Sequence, residues 1–579
     1  MSHAVVRGAP TAAQRYADGA LDAWLRARGR EPSREARARV SAAQLLLHCM
    51  RQAPDFVCMI NGATGEQTTN REMLELAIPF ARKLRAQGLK GKTVMLVARD
   101  HERTVAVFLG LLLAGVLAYL TDPGATKYEL QHYLRLVEPA LVFCDEATQA
   151  AVRVATADAP APAHVLPIHD DALLDYIQGH TDDLDSFEAE DSEEGAASLL
   201  LPTSGSTGLP KAAQYNQRAL VAQLPTVWMH YEKFPTPTER VMLLTTPQWC
   251  TFTITVITCC VYNVTLVMSP KEATVENVLD MMQRCRPTWT FFGPPFAKKL
   301  AKAATPDHFS SLETVMTLGS QLSPDIMALL KEKMAPGSNM CDGYGITEVH
   351  GFVTVAERDA APGCNGPCAN IFHYRLLKSD DEDAATDEEG ELTVKGPSLI
   401  KGYYKNESEL AESMTADGWF RTGDAFRQDR ARRLYYCRRI KFCFKYENLL
   451  VSPEELERVV GQLPGVAECV VSDSARGPAA AVVLRAGASE PDARRAIHRV
   501  VETTLSDHKR LRGGVAFVAA IPRTHTGKAH RQQAKDLIQR LIEPAWSMHY
   551  EKFPTPTERV MLLTTPQWGT FTITVTSCC

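Results

Sequence analysis

Between Arg71 and Asp145, short apolar runs alternate with stretches of helical periodicity, and that alternation limits the chain to α/β folds. Val94–Val97 and Ala140–Cys144 are apolar at every residue, so each reads as a strand covered on both faces, as in a parallel sheet flanked by helices. Val241–Leu244, Val264–Met268 and Thr288–Phe292 continue the pattern. The run Val105–Leu120 is shorter than the roughly 20 residues a bilayer span needs. Carrying Gly110 and Gly115, it reads as a buried core helix, and no membrane span is expected. A chain of 579 residues is too long for one core. After Lys441 the texture changes to small α+β units. There SPEELERVVGQL predicts a helix opened by Ser452, with Pro453 at its first position and Glu455 closing a capping box, and Val466–Val471 and Ala479–Leu484 read as strands beside it.

Composition narrows the function classes. An apolar fraction of 45% and a charged fraction of 23% are those of a soluble globular protein, and a net charge of -5 leaves no basic footprint for nucleic acid. Arginines crowd Arg26–Arg39, but Asp18, Asp22, Glu31 and Glu35 lie among or beside them, which favours a solvated helix over a transit peptide. Fifteen cysteines in so long a chain, behind an MSHAVVRGAP start without an apolar signal core, read as reduced and mostly buried thiols. Cys364 and Cys368 have no second pair with which to complete a zinc site. The acidic run Asp182–Glu194 reads as a linker and Asp380–Glu389 as a solvated hairpin tip.

Chemistry begins where Leu199–Leu201 empties into TSGSTGLPK, Thr203 to Lys211. This is not the Walker pattern, which needs Gly-Lys-Ser/Thr before a helix. It is nevertheless suited to phosphate: Gly205 and Gly208 let backbone N–H groups turn inward as a nest, while Thr203, Ser204, Ser206 and Thr207 add hydroxyl donors and Lys211 a positive charge. Four further segments follow in order. DGYGITEV carries Tyr344 and Thr347–Glu348, GWFRTGD ends in Asp424, RRIKFCFKYENLLVSPEELE contains Arg439, Lys441 and Lys445, and PRTHTGKAHR presents Lys528.

This ordered set resembles the adenylate-forming superfamily over roughly residues 45 to 540: acyl-CoA synthetases, 4-coumarate–CoA ligases, insect luciferases and peptide-synthetase adenylation domains. GELTVKGPSLIKGYYKNESELAESMTADGWFRTGD looks closest to the 4-coumarate–CoA ligase-like and arthropod luciferase-like branch. The implied fold is α/β: a large N-terminal domain of mixed and parallel sheets wrapped by helices, plus a small mobile α+β C-terminal domain. The expected layout is an N-terminal extension over 1–44, the large domain over 45–440, the small domain over 441–543 and a tail over 544–579.

The resemblance implies that ATP and a carboxylic acid form an acyl-adenylate, from which a thiol, usually coenzyme A, displaces AMP. It implies that Thr203–Lys211 holds the β- and γ-phosphates and that Glu348 ligates Mg²⁺, a hard cation wanting carboxylate oxygen. Thr347 would touch the α-phosphate, Tyr344 would lie along adenine, Asp424 would accept from both ribose hydroxyls and Arg439 would approach the ribose. Lys528 would bridge the carboxylate and the α-phosphate, and the join near Lys441 and Lys445 would be a hinge. Trp249, Phe292, Gly319 and Ser320, with Phe252 and Phe291, would neighbour the acid pocket. Several residues depart from the family pattern: Ala212 follows Lys211, Arg438 and Phe442 flank the hinge, and Asn448 replaces a glycine. The three at the hinge, Arg438, Phe442 and Asn448, bear on thioester formation more than on adenylation. TPQWCTF lacks the histidine of luciferases and the acid of α-amino-acid activators, which speaks against light emission and against an amino-acid substrate. No carrier-protein domain is read. The location expected is cytoplasmic, because the chain as given ends Ser577–Cys578–Cys579 in place of the Ser-Lys-Leu peroxisomal address of luciferase-like relatives.

The tail is the anomaly. MHYEKFPTPTERVMLLTTPQW occurs at Met229–Trp249 and again at Met548–Trp568, continuing as CTFTITVITCC and GTFTITVTSCC. One near-identical copy is not a solenoid repeat. A partial duplication or an error in the gene model explains it better than function, and its β-branched end is an aggregation hazard with no obvious sheet to join.

Overall fold

The structure is a computed structural model that describes residues 9–579 apart from 100–101, 160–162, 190–194, 204–209, 320–321, 323, 380–381, 441–442, 448, 524–528, 543–558, 566–568 and 576–579. It divides into two compact units, Met1–Leu450 and Val451–Cys579. Among the described residues no helix is long and apolar enough to cross a membrane.

Three large sheets form the body of the large unit. A seven-stranded sheet runs in the order Gly402–Tyr403, Lys211–Asn216, Ala197–Thr203, Leu117–Leu120, Thr93–Val97, Leu141–Cys144, His164–Pro167. An eight-stranded sheet is built on Arg240–Met242, Thr265–Met268, Trp289–Phe292, Thr314–Thr317 and Asn339–Ile346, all paired in parallel. A six-stranded antiparallel sheet carries Phe420–Gln428 and Arg433–Arg439. The fully apolar runs are the strands buried on both faces, as parallel pairing between helix layers requires. Between the first two sheets lie the helices Glu102–Ala114 and Cys250–Tyr262, with Phe108 meeting Phe252 edge-on at 5.8 Å.

Two expectations change here. Val105–Leu120 is not one helix. The helix stops at Ala114, Gly115 takes φ 72, and Leu117–Leu120 enters the sheet as a strand, because a run apolar on all sides fits a buried strand as well as a buried helix. The arginine-rich stretch Arg26–Arg39 has no buried residue, as expected of a solvated segment, but it is not one helix: only Arg26, the last residue of the preceding helix, and Arg34–Arg37 are helical. Helix Ala12–Arg26 buries Ala13, Ala17, Leu21, Trp24 and Leu25 in the main core, while Arg37 closes on Asp22 with two bonds of 2.6 and 2.7 Å. The apolar stripe at four-residue spacing outweighs the flanking charges.

In the small unit, strands Val466–Ser474 and Gly477–Leu484 form a hairpin, joined in parallel by Gly514–Phe517 and packed by helices Pro453–Gly461 and Arg531–Ile542. The capping box is absent. Ser452 makes no cap bond and its hydroxyl lies 3.2 Å from Glu454, while Glu455 instead forms a buried pair with Lys509 at 2.9 Å. The tail supplies Arg559–Thr565 and Gly569–Val575, paired antiparallel with each other in a hairpin of their own. The thirteen cysteines described are all free thiols, nine of them buried, and no metal-holding cluster of His, Cys, Asp or Glu occurs among the described residues.

Candidate active site

Strands Ala197–Thr203 and Lys211–Asn216 are antiparallel neighbours, so Thr203 and Lys211 face each other across the mouth of the hydroxyl-rich loop. Ser204, Gly205, Ser206, Thr207 and Gly208 lie outside the described residues. Thr203 reaches Glu348, its hydroxyl donating to Oε1 at 3.4 Å, and the Tyr403 hydroxyl donates to the same oxygen at 2.9 Å. Among the described residues neither contact uses Oε2, and that carboxylate oxygen is of the kind a hard cation such as Mg²⁺ takes. Lys211 is 8% exposed and pairs with Glu409, its ammonium 5.3 Å from the Tyr403 ring centre.

Strand Asn339–Ile346 delivers the other half of the site and ends in the 3₁₀ turn Thr347–Val349. The Thr347 carbonyl accepts from the Tyr215 hydroxyl and from the His350 N–H, which fixes the turn. Tyr344 lies edge-on to Phe426 at 4.7 Å and donates its hydroxyl to Asp424 Oδ2 at 2.7 Å. Asp424 and Arg439 are register partners on adjacent strands, and Arg439 Nη1 donates to the same Oδ2 at 2.6 Å. Burial alone would lower the Arg439 pKa; the adjacent Asp424 carboxylate more than offsets it and holds the guanidinium charged. Asp424 is only 3% exposed, yet both side-chain contacts go to Oδ2, leaving Oδ1 without a hydrogen bond among the described residues. A carboxylate acceptor oriented by two donors fits a sugar hydroxyl.

Nearby, the Lys445 ammonium meets the Gly319 carbonyl. Desolvation by the surrounding protein pushes the Lys445 pKa down to about 8. Gly319 takes φ 92, a conformation that favours glycine. Ser320, Lys441 and Lys528 lie outside the described residues, as do Phe442 and Asn448. Trp249 precedes the first residue of helix Cys250–Tyr262 and is partly exposed. Successive residues of a strand point to opposite faces, so Phe291 enters the main core while Phe292 packs at 6.0 Å on Phe296 in a separate cluster.

The structure thus brings together Thr203, Lys211, Thr347 and Glu348, and likewise Tyr344, Asp424 and Arg439. Four contributors were not singled out from sequence. Tyr403 and Glu409 sit in GYYKNESEL, where they resemble ordinary surface residues of a turn and a first helical turn. Asp342 is buried at the end of its strand pairing and accepts from the Thr317 hydroxyl; desolvation raises its pKa to about 7. His350 is fully buried at φ 60. The Thr253 hydroxyl donates to the Cys250 carbonyl at 3.1 Å and therefore accepts from His350 Nε2–H at 2.8 Å. That bond assigns the ring proton to Nε2, and burial pushes the imidazole pKa down to about 3, so the ring stays neutral.

Comparison with known proteins finds relatives over most of the chain. The model of the AMP-binding enzyme family matches residues 46–404, and that of the AMP-binding enzyme C-terminal domain matches residues 455–528. 4-Coumarate–CoA ligase 1 of Petroselinum crispum is 27% identical over 520 residues, covering 84% of this chain and 91% of its own. Luciferin 4-monooxygenase of Luciola mingrelica is 26% identical over 515 residues, covering 84% and 92%. Among solved structures, a double mutant of the o-succinylbenzoate CoA synthetase of Bacillus subtilis, bound with a product analogue, superposes with a TM-score of 0.73 at 20% identity, covering 86% of this chain and 98% of its own.

Proposed function

The chain belongs to the AMP-binding enzyme family, within the adenylate-forming superfamily, and from that premise we propose that it activates a carboxylic acid with ATP and passes the acyl group to coenzyme A. The carboxylate attacks the α-phosphorus, pyrophosphate leaves, and the resulting acyl-adenylate is opened by a thiol with release of AMP. Splitting one hard substitution into two easier ones is the logic of covalent activation. Little bond chemistry is asked of the protein, whose task is to position and to stabilise charge.

In this reading Asp424 accepts from the ribose through its open Oδ1, oriented by Tyr344 and Arg439. Thr203 opens the phosphate loop, and Thr347 stands beside the α-phosphate on a turn that Tyr215 and His350 hold. Glu348 supplies oxygen to Mg²⁺, which when bound neutralises phosphate charge. Lys528 bridges the substrate carboxylate and the α-phosphate, where negative charge builds in the transition state. The observation that carries the reading is the Tyr344–Asp424–Arg439 cluster, a buried carboxylate aligned by two donors and still open on one oxygen.

Pyrophosphate exchange across a panel of carboxylic acids, with and without coenzyme A, tests it. Exchange with at least one acid, and thioester formation when coenzyme A is added, is the expected result. Exchange without thioester would retain adenylation and remove the second half-reaction, the outcome toward which Arg438, Phe442 and Asn448 lean. No exchange with any acid would reduce the protein to a nucleotide-binding relative of these enzymes.

A further inference from the structure

A lysine at the exit of a phosphate loop invites assignment as a phosphate ligand, but Lys211 is already committed elsewhere. Its side chain and that of Glu409 are each 9% exposed, and the two form an ion pair inside the protein. Turning Lys211 toward a triphosphate would leave Glu409 buried and without that partner, beside Tyr403, a costly arrangement. The Tyr403 ring under the ammonium adds a cation–π contact at 5.3 Å that favours the same position.

The pair also belongs to a larger clip. Segment 400–412 pairs with the strand leaving the loop: Tyr403 is opposite Ala213, the Tyr404 N–H donates to Ala212 O at 2.8 Å, and the Lys401 N–H donates to Gln214 O at 3.2 Å. The same segment reaches the turn of the candidate metal ligand twice, through the Ile400 N–H on Glu348 O at 2.9 Å and through the Tyr403 hydroxyl on Glu348 Oε1 at 2.9 Å. Helix Glu407–Glu412 then brings Glu409 back onto Lys211.

We propose that Lys211 is a strut and not a phosphate ligand: with Glu409 it locks segment 400–412 across the exit of the phosphate loop, and through Tyr403 that segment sets where Glu348 stands relative to the loop. This rests on the adenylation reading above. Glu409 and Tyr403 are accordingly positioning residues, and the pair adds no net charge beside the incoming triphosphate.

Binding of a fluorescent ATP analogue with Mg²⁺, together with thermal melting, tests the proposal on the full chain. Lys211→Met alone leaves Glu409 uncompensated, so the melting temperature falls and analogue affinity drops by more than about tenfold. Adding Glu409→Leu removes the stranded charge, and an apolar pair of similar volume often replaces a buried ion pair without loss. The double variant should recover its melting temperature and bind the analogue within about threefold of the wild type. A double variant that melts like the wild type but binds no better than Lys211→Met would make the lysine a phosphate ligand and overturn the strut. Failure of the second substitution to restore melting would overturn the closed pair. A wild-type protein that binds no ATP would instead remove the adenylation reading, a result separable from both.

Discussion

Replacing Asp424 by alanine separates a nucleotide-binding carboxylate from a structural one. Its Oδ2 is occupied by the Tyr344 hydroxyl at 2.7 Å and Arg439 Nη1 at 2.6 Å, while Oδ1 has no hydrogen bond among the described residues. A hydrogen bond to a charged group contributes about 1.5–3 kcal/mol, so losing one ribose contact predicts a Kd for ATP weakened about ten- to a hundredfold. Stability should fall as well. Breaking a fully buried pair costs about 3–5 kcal/mol, but the Arg439 side chain is 31% exposed and regains water, so about 2 kcal/mol is the expected cost here. Calorimetric titration of ATP with Mg²⁺ reads the first effect and a thermal melt the second. A variant that melts lower yet binds ATP as tightly as the wild type would make Asp424 a strand residue that merely anchors Arg439, and the site reasoning would fail.

Lys528→Ala should lower the adenylation rate by roughly 3 kcal/mol of transition-state stabilisation, about a hundredfold, with ATP binding nearly intact; an undiminished rate of pyrophosphate exchange refutes its role. Glu348→Gln should raise the Mg²⁺ concentration needed for activity, and an unchanged metal titration counts against it as the ligand. Asp342 is buried with its pKa raised to about 7 from an unfolded value near 4, so the folded state prefers the protonated form. Its stabilising contribution is complete below about pH 4 and is lost as pH rises toward 7, on the order of a few kcal/mol, and Asp342→Asn should flatten that slope in melts between pH 5 and 8. Equal slopes for the two proteins would contradict the shift. Truncation after Glu543 should leave adenylation unchanged and improve solubility; loss of folding would show that the duplicated tail is a working part.

Much of the fold was legible because its strands are continuous apolar runs. Val94–Val97 and Ala140–Cys144 lie within a residue of the observed strands Thr93–Val97 and Leu141–Cys144, since nothing polar competes for those positions. The residues that gather at the candidate site were legible as ordered motifs, Tyr344 and Asp424 among them, though 80 residues apart in the chain. Their geometry was not. That Asp424 and Arg439 share a register, that Lys211 is matched by Glu409, and that Tyr403 stands on Glu348 follow from strand pairing over long separations.

The duplicated segment shows the division within a single chain. The residues TFTITV are identical at Thr251–Val256 and Thr570–Val575, and the amino acids alone determine that both are apolar, β-branched and suited to a pleated strand. In the tail, paired with Arg559–Thr565, the segment is a strand. In the large unit it is the start of helix Cys250–Tyr262, with Phe252, Ile254, Val256 and Ile257 fully buried between two sheets. Local preference amounts to tenths of a kcal/mol per residue, whereas each large apolar side chain taken out of water contributes about 1.5–3 kcal/mol. Where the surrounding core offers burial on every side, a helix satisfies its own backbone hydrogen bonds there without a neighbouring strand, and the tertiary environment overrides the preference written in the residues.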